Sequence, residues 1–238
     1  MIIQACLNGS RPADFHPQIP FSAEAIARDG VNCVAAGAAE LHVHPRAPDG
    51  SESLNSIDEA VRAIRRGCPG TLIGVSTGAW IENGVERTRA AIANWRQLPD
   101  YASVNLSEPD APAVMQLLRG RRVGIEAGLA SPADAERFCR IPGHELVFRV
   151  LIEIDEQDPD NAARMAEEVA LVLDRANVRR QILLHGVDAT VWPLVGLARR
   201  RRWSTRVGLE DGKALPNGAD AAGNAALVAA AVTIYRSV

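Results

Sequence analysis

Two histidines one residue apart, His42 and His44 in "AELHVHPRAPDG" (39–50), are the first residues of this chain whose spacing could do chemistry. In an extended segment, residues two apart point to the same face, so both rings are aimed together. Two imidazoles need only a carboxylate to complete a three-ligand site with an open position, the arrangement of catalytic zinc and related divalent metals. The stretch "STRVGLEDG" (204–212) offers one: Arg206, Gly208 and Glu210 fall on one face of a strand, and Asp211 follows. Glu210 is the candidate third ligand. Asp211, steadied by Arg206, is the candidate base for a proton α to a polarised carbonyl. Arg206 could also grip a substrate carboxylate through two parallel hydrogen bonds. Taken singly, each residue also reads as a packed histidine, a solvated acid or a structural ion pair. A scaffold must bring them together.

The rest of the chain predicts that scaffold. Short apolar or β-branched runs recur as strand candidates at 2–7, 39–44, 71–76, 101–106, 122–127, 145–153, 181–186 and 204–210. Amphipathic stretches lie between them, such as "SAEAIARDGVNCVAAG" and "NAARMAEEVALVLDRA". Ser22, Ser131-Pro132 and Asp158-Pro159 are expected to cap three of the helices. Strand–helix alternation predicts right-handed βαβ units and a parallel sheet. Eight units within 238 residues fit a single (β/α)8 TIM barrel, a fold of about 250 residues. An open doubly wound sheet is the other candidate, but no G-x-G-x-x-G follows the first strand. With no linker or composition break, residues 1–238 read as one barrel domain.

Barrel chemistry sits where the strands end, and the expected ends are polar. They read Asn8-Gly9-Ser10-Arg11, His42 and His44, Ser76-Thr77-Gly78, Asn105 and Ser107, Glu126, Glu153, His185-Gly186 and Glu210-Asp211-Gly212. The eighth and second strands flank the first, so Glu210 is expected to face the two histidines across it. Ser76, Thr77 and Gly78 could cradle a carboxylate through hydroxyl and N–H groups, although ordinary turn chemistry accounts for them equally. The basic run "ARRRRW" (198–203) falls late in a helix, at the opposite end of the barrel, and reads as a helix end complementing its dipole. Trp80, Trp95, Trp192 and Trp203 read as packing residues or lid anchors.

Bulk composition excludes several classes. A net charge of −3 gives no field for nucleic acid or an anionic membrane. Cys6, Cys33, Cys68 and Cys139 are scattered without C-x-x-C spacing, as expected for reduced thiols of a cytoplasmic protein. The start "MIIQACLNGSRP" lacks a signal-peptide pattern, and no charge-free apolar run is long enough to span a bilayer.

Three stretches together resemble the β-keto acid cleavage enzymes, a family whose familiar member is the 3-keto-5-aminohexanoate cleavage enzyme of lysine fermentation. They are residues 8–50, from "NGSRPADFHP" to "AELHVHPRAPDG"; "VSTG" (75–78); and "RVGLEDGKALPNGADAAGNAALV" (206–228). The His-x-His-x-Arg and Arg-Val-Gly-Leu-Glu-Asp stretches carry the likeness, and "VSTG" alone is not specific. The resemblance implies a zinc TIM barrel, forming a homo-oligomer (dimer or tetramer), that converts a β-keto acid and acetyl-CoA to acetoacetate and an acyl-CoA by a Claisen/retro-Claisen route. It implies His42, His44 and Glu210 as metal ligands, Asp211 as base supported by Arg206, Ser76 as a substrate contact, and Glu126 as a further acid of the site.

This sequence also departs from the family. It is shorter than typical members. Ser10-Arg11 stands where, as aligned, an acid recognises the amino group of the aminohexanoate, so that substrate is not expected, and Arg11 would suit a neutral or acidic distal group. "NLSEPDAP" (105–112) replaces the family's glycine-rich stretch, which bears on substrate contacts from Asn105 and Ser107. Two other readings fit parts of the pattern: a metal-dependent hydrolase of the amidohydrolase type, and a non-catalytic barrel that binds a keto acid or CoA. The first expects its His-x-His on strand 1 and further histidines on strands 5 and 6. The second needs no base beside its metal.

Overall fold

A computed structural model describes residues 1–237. Eight parallel strands close a barrel in strict chain order, with β8 returning to β1. They are β1 (Ile3–Cys6), β2 (Glu40–Val43), β3 (Leu72–Ser76), β4 (Tyr101–Asn105), β5 (Gly124–Leu129), β6 (Arg149–Ile154), β7 (Ile182–Gly186) and β8 (Ser204–Val207). The helices that follow them are α1 (Ala23–Ala36), α2 (Ile57–Gly67), α3 (Val85–Asn94), α4 (Ala111–Gly120), α5 (Pro132–Arg140), α6 (Pro159–Arg175), α7 (Val191–Arg201) and α8 (Asn224–Arg236). This is the TIM barrel that the alternation predicts.

The three expected caps are present. Ser22, Ser131 and Asp158 accept hydrogen bonds from the N–H groups of Ala25, Asp134 and Asn161, and Pro132 and Pro159 occupy the first helical positions of α5 and α6. Outward-facing strand residues such as Leu41, Val43, Val75, Ile152, Leu184 and Val207 form one apolar layer with helix residues such as Ile26, Ile64, Ile92, Phe138, Val169 and Leu194. Full burial of each such side chain contributes roughly 1.5–3 kcal/mol. This layer holds the strands in register.

Two strand boundaries differ from expectation in ways that matter for the site. β5 runs on to Leu129, so Glu126 is its third residue and not its end. β8 stops at Val207, and residues 208–212 fold into a turn with Asp211 N–H and Gly212 N–H on the Gly208 carbonyl. Gly208 is pressed against β1: a Cβ there would lie 1.8 Å from the Cys6 carbonyl oxygen. Backbone contact so close admits no side chain, and the strand ends at Val207, three residues before Glu210.

The barrel interior is polar where such barrels usually carry Val, Ile and Leu. Arg149, fully buried, pairs with Glu126 and with Glu40, and its guanidinium lies 4.7 Å from the Tyr101 ring centroid. Gln4 donates to the Tyr101 hydroxyl at 2.7 Å, and that hydroxyl donates to Glu40 at 3.1 Å. This ionic layer lies inside the strands, below their C-terminal ends.

Candidate active site

His42 and His44 leave β2 on its inner face, both buried, and Glu210 arrives from the turn after β8. The Glu210 carboxylate lies 3.5 Å from His44 Nε2 and 3.9 Å from His42 Nε2. One ligand atom from each of the three residues falls within 4.8 Å of the others. A tetrahedral ion with bonds of about 2.0–2.2 Å separates its donors by roughly 3.3–3.5 Å, so small side-chain shifts would bring the set onto one ion.

Two further observations suit a cation. Glu210 Oε2 is buried with no hydrogen-bond partner, a costly state for a carboxylate oxygen unless something positive meets it. The Nδ1 atom of His44 is bonded to Glu52 at 2.5 Å, which leaves Nε2 for the ion, the usual carboxylate–histidine–metal pattern. Burial drives the His42 pKa down to about 4, so its ring is neutral. Burial also pushes His44 down, but Glu210 and Glu52 outweigh it and hold the ring near 9. Arg206 and the histidines overcome burial at Glu210 and keep its carboxyl well below the usual range. The donors fit a divalent metal.

Local structure explains why these residues are held so firmly. Asn8, just past β1, receives the His44 N–H at 2.9 Å and donates to the His44 carbonyl at 2.8 Å. Arg46 ties the β1 loop through the carbonyls of Gly9 and Arg11. Gly9 itself sits at φ +53°, with the Glu210 side chain against its Cα.

Arg206 joins ligand and base. Its Nη2 lies 2.8 Å from Glu210 Oε1 and 2.7 Å from Asp211 Oδ1. The pairing with Asp211 matches expectation, but the route differs. Glu210 reaches Arg206 because the chain turns back after Val207, and not because the two share a strand face. The second Asp211 oxygen, Oδ2, is buried without a partner. It is the free acceptor of the pair. Burial opposes ionisation of Asp211, yet Arg206 and His185 keep its carboxyl below the ordinary value.

The structure redistributes several expected site residues. Glu126 lies inside β5 and not at its end: Oε2 is engaged by Arg149 and Gln4 in the interior layer, while Oε1 is buried without a partner, and its charge is felt by His42 and Arg206. Ser76 is buried at the end of β3 and accepts the Gly78 N–H at 3.3 Å. The Thr77 hydroxyl donates to the Ser103 carbonyl at 2.6 Å and is therefore tied to β4. Gly78 lies under the ring of Trp80, a half-exposed residue at the mouth. Asn105 is half-buried and donates to Glu108 at 3.3 Å, while Ser107 lies exposed on the turn beyond. Arg11 does not project as a free distal-group reader. It is bonded to Asp188, to the carbonyls of Glu210 and Asp211, and packs on Phe15.

Three residues, Glu52, His185 and Glu153, enter that sequence reasoning left without a role. Glu52 holds His44 and also accepts the Trp80 Nε1–H at 3.0 Å. The Asp49-Gly50 turn was the available signal, because it folds the chain back and pairs Glu52 with Arg46 across a bridge. His185 lies between Asp211 (Nδ1, 3.4 Å) and Glu153 (Nε2, 3.3 Å). Those contacts use opposite ring nitrogens, so the trio is a chain and not a second metal site. The two carboxylates outweigh burial and hold His185 near 9.

Residues 1–182 match the beta-keto acid cleavage enzyme family. This chain belongs to that family. The matched span contains the His42/His44 strand; Arg206, Glu210 and Asp211 lie beyond it. The 3-keto-5-aminohexanoate cleavage enzymes of Fusobacterium nucleatum subsp. nucleatum and Acetoanaerobium sticklandii are each 35% identical over 81 residues, which cover 33% of this chain and 30% of the relative. The chain thus matches under a third of the length of these curated relatives. Among solved structures, apo ObcA superposes with a TM-score of 0.71 at 17% identity, covering 90% of this chain and 61% of that one. A type I 3-dehydroquinate dehydratase from Clostridium difficile gives 0.65 at 13% identity, covering 100% and 93%. These likenesses bear on the barrel fold.

Proposed function

We propose that this chain is a zinc-dependent β-keto acid cleavage enzyme, converting a β-keto acid and acetyl-CoA to acetoacetate and a new acyl-CoA. The observation that carries the reading is the buried His42–His44–Glu210 donor set with Asp211 beside it on a shared arginine. Family membership supports the reaction class. A ternary complex of ObcA, a structural neighbour, holds a C4-CoA adduct and oxalate, in keeping with CoA and a small acid as ligands of such a barrel.

His42, His44 and Glu210 would hold the metal, which when bound supplies Lewis-acid polarisation of the substrate ketone. The chain's own groups do the rest. Asp211 Oδ2, the unpartnered oxygen, takes a proton from the carbon between ketone and carboxylate. Arg206 fixes the Asp211 carboxylate through Oδ1, so the acceptor atom is pre-aimed. The carbanion adds to the acetyl thioester and expels the CoA thiolate. The thiolate then adds to the original ketone, and the carbon–carbon bond breaks to give the acyl-CoA and the acetoacetate carbanion. That carbanion recovers the proton from Asp211, so atoms and charge balance. Ser76, at the end of β3, would meet the substrate carboxylate with its hydroxyl, beside the Gly78 N–H that it accepts. Assembly into a homo-oligomer goes with this reading.

The test is metal content of wild type, His42→Ala and Glu210→Ala, followed by a panel of β-keto acids with and without acetyl-CoA. The expected result is one metal per chain, lost in both variants, and acetoacetate formed only with acetyl-CoA. Metal-free but folded wild type sinks the site. Product formed without acetyl-CoA points to the hydrolase, and metal without turnover to a binding protein.

A further inference from the structure

Glu210 and Asp211 leave the sheet in a turn, so their carbonyls find no partner in a neighbouring strand. The structure gives those two carbonyls three donors from elsewhere. Arg11 Nε donates to the Glu210 carbonyl at 3.0 Å, and Arg11 Nη2 to the Asp211 carbonyl at 3.3 Å. The backbone N–H of Asp188, in the loop after β7, donates to the Asp211 carbonyl at 2.7 Å. Asp188 Oδ1 in turn accepts from Arg11 Nη2 at 2.8 Å. The guanidinium is seated on Phe15, 4.3 Å from the ring centroid. Asp188 holds a left-handed conformation, φ +49°, which aspartate tolerates better than most residues with a side chain.

We propose that Arg11 and Asp188 are positioning residues that clamp the Glu210–Asp211 backbone and so set the metal ligand and the base together. The inference rests on the function proposed above. The two side chains that must be placed diverge from adjacent residues, so a rotation of their shared peptide moves both. Arg206 joins the two carboxylates from the side-chain end, and the Glu210 and Asp211 N–H groups are held by the Cys6 and Gly208 carbonyls, so the carbonyl side is what is left to pivot. A clamp on the carbonyls removes that freedom, and sites of this kind need placement to about 0.5 Å. Arginine suits the task because its fork spans two acceptors and a carboxylate at once. This also gives Arg11 a role other than reading the distal end of the substrate.

The experiment compares Arg11→Ala, Arg11→Lys and Asp188→Asn in the full chain. Zinc affinity is read by chelator competition, kcat and KM by steady-state assay, and backbone protection of residues 208–212 by amide hydrogen exchange. Arg11→Ala should weaken zinc binding by about ten- to a hundredfold, lower kcat with little change in KM, and speed exchange in that segment. Arg11→Lys should recover only part of each, because an ammonium cannot present the fork. Asp188 is exposed, so Asp188→Asn should stay fully folded, keep its backbone donor and show the intermediate effect. Unchanged exchange in the segment overturns the clamp whether or not the wild type binds zinc. A raised KM with zinc affinity and kcat intact also overturns it and returns Arg11 to substrate binding. Zinc-free wild type whose segment loosens in Arg11→Ala retains the clamp and refutes the proposed function instead.

Discussion

Replacing Glu52 with alanine removes the acceptor that fixes the His44 ring, and the structure allows the effect to be worked out. The Glu52 Oε1–His44 Nδ1 contact is 2.5 Å, and the two side chains are 11% and 6% exposed, so it is a shielded, charge-assisted hydrogen bond. Bonds of that kind contribute about 1.5–3 kcal/mol, and about 1.4 kcal/mol corresponds to tenfold in affinity. Zinc should therefore bind the variant roughly 10–100-fold more weakly, the range seen for outer carboxylates that orient metal-bound histidines. A second effect opposes this one. Glu52 and Glu210 hold His44 protonated up to about pH 9 against burial, and that proton competes with the metal. Removing Glu52 lowers this competition. The loss of affinity should thus be greatest above about pH 9, where His44 is already neutral in the wild type, and smaller at neutral pH. The assay is zinc titration against a chelator across pH for wild type, Glu52→Ala and Glu52→Gln, with Gln intermediate as a neutral acceptor. Equal zinc affinity of wild type and Glu52→Ala above pH 9 would refute the reasoning, because there only ring orientation is being measured.

Two further outcomes follow from the buried charges. His185→Gln leaves Asp211 its bond to Arg206 but removes the link to Glu153; it should lower kcat by about tenfold while zinc affinity stays at the wild-type level, and a loss of metal instead would place His185 with the ligands. Arg149→Met strands the carboxylates of Glu126 and Glu40 inside the barrel and should cost about 3–5 kcal/mol in denaturant unfolding. In the wild type, burial favours the protonated Glu126, but Arg149 outweighs it and holds the carboxyl below its ordinary value. The stability from this pair is therefore complete above the ordinary carboxylate pKa and is lost as pH falls through the lowered one. Acid unfolding that is unaffected by Arg149→Met would remove the pair from that account.

The His42–His44 strand and the Asp211–Arg206 pairing were legible because their information is local: alternation aims two rings together, and a short separation puts an arginine beside an acid. Helix starts at Ser22, Ser131 and Asp158 were legible for the same reason, since a cap is a contact between residues three apart. Glu126 was misplaced because a strand's end depends on its neighbours' register, and pairing with β4 and β6 carries β5 on to Leu129. The bonds of Arg11 to Asp188 and to the Glu210 and Asp211 carbonyls were not legible because these partners lie 177 to 200 residues away.

By itself the sequence determined the eightfold strand–helix alternation, and with it a barrel whose strand ends gather polar residues at one mouth. It also determined the chemical types present: two imidazoles, carboxylates and an arginine. Only the tertiary structure decided which of these are free to act. Barrel closure sets β8 beside β1, Gly208 against the Cys6 carbonyl ends the strand, and the resulting turn delivers Glu210 to the histidines and Asp211 to Arg206. The same closure engages Glu126 with Arg149, Thr77 with Ser103, and Arg11 with the Glu210 and Asp211 carbonyls. The physical reason is that a buried polar atom must be paired, and its partner is chosen by packing between segments that are distant in the chain.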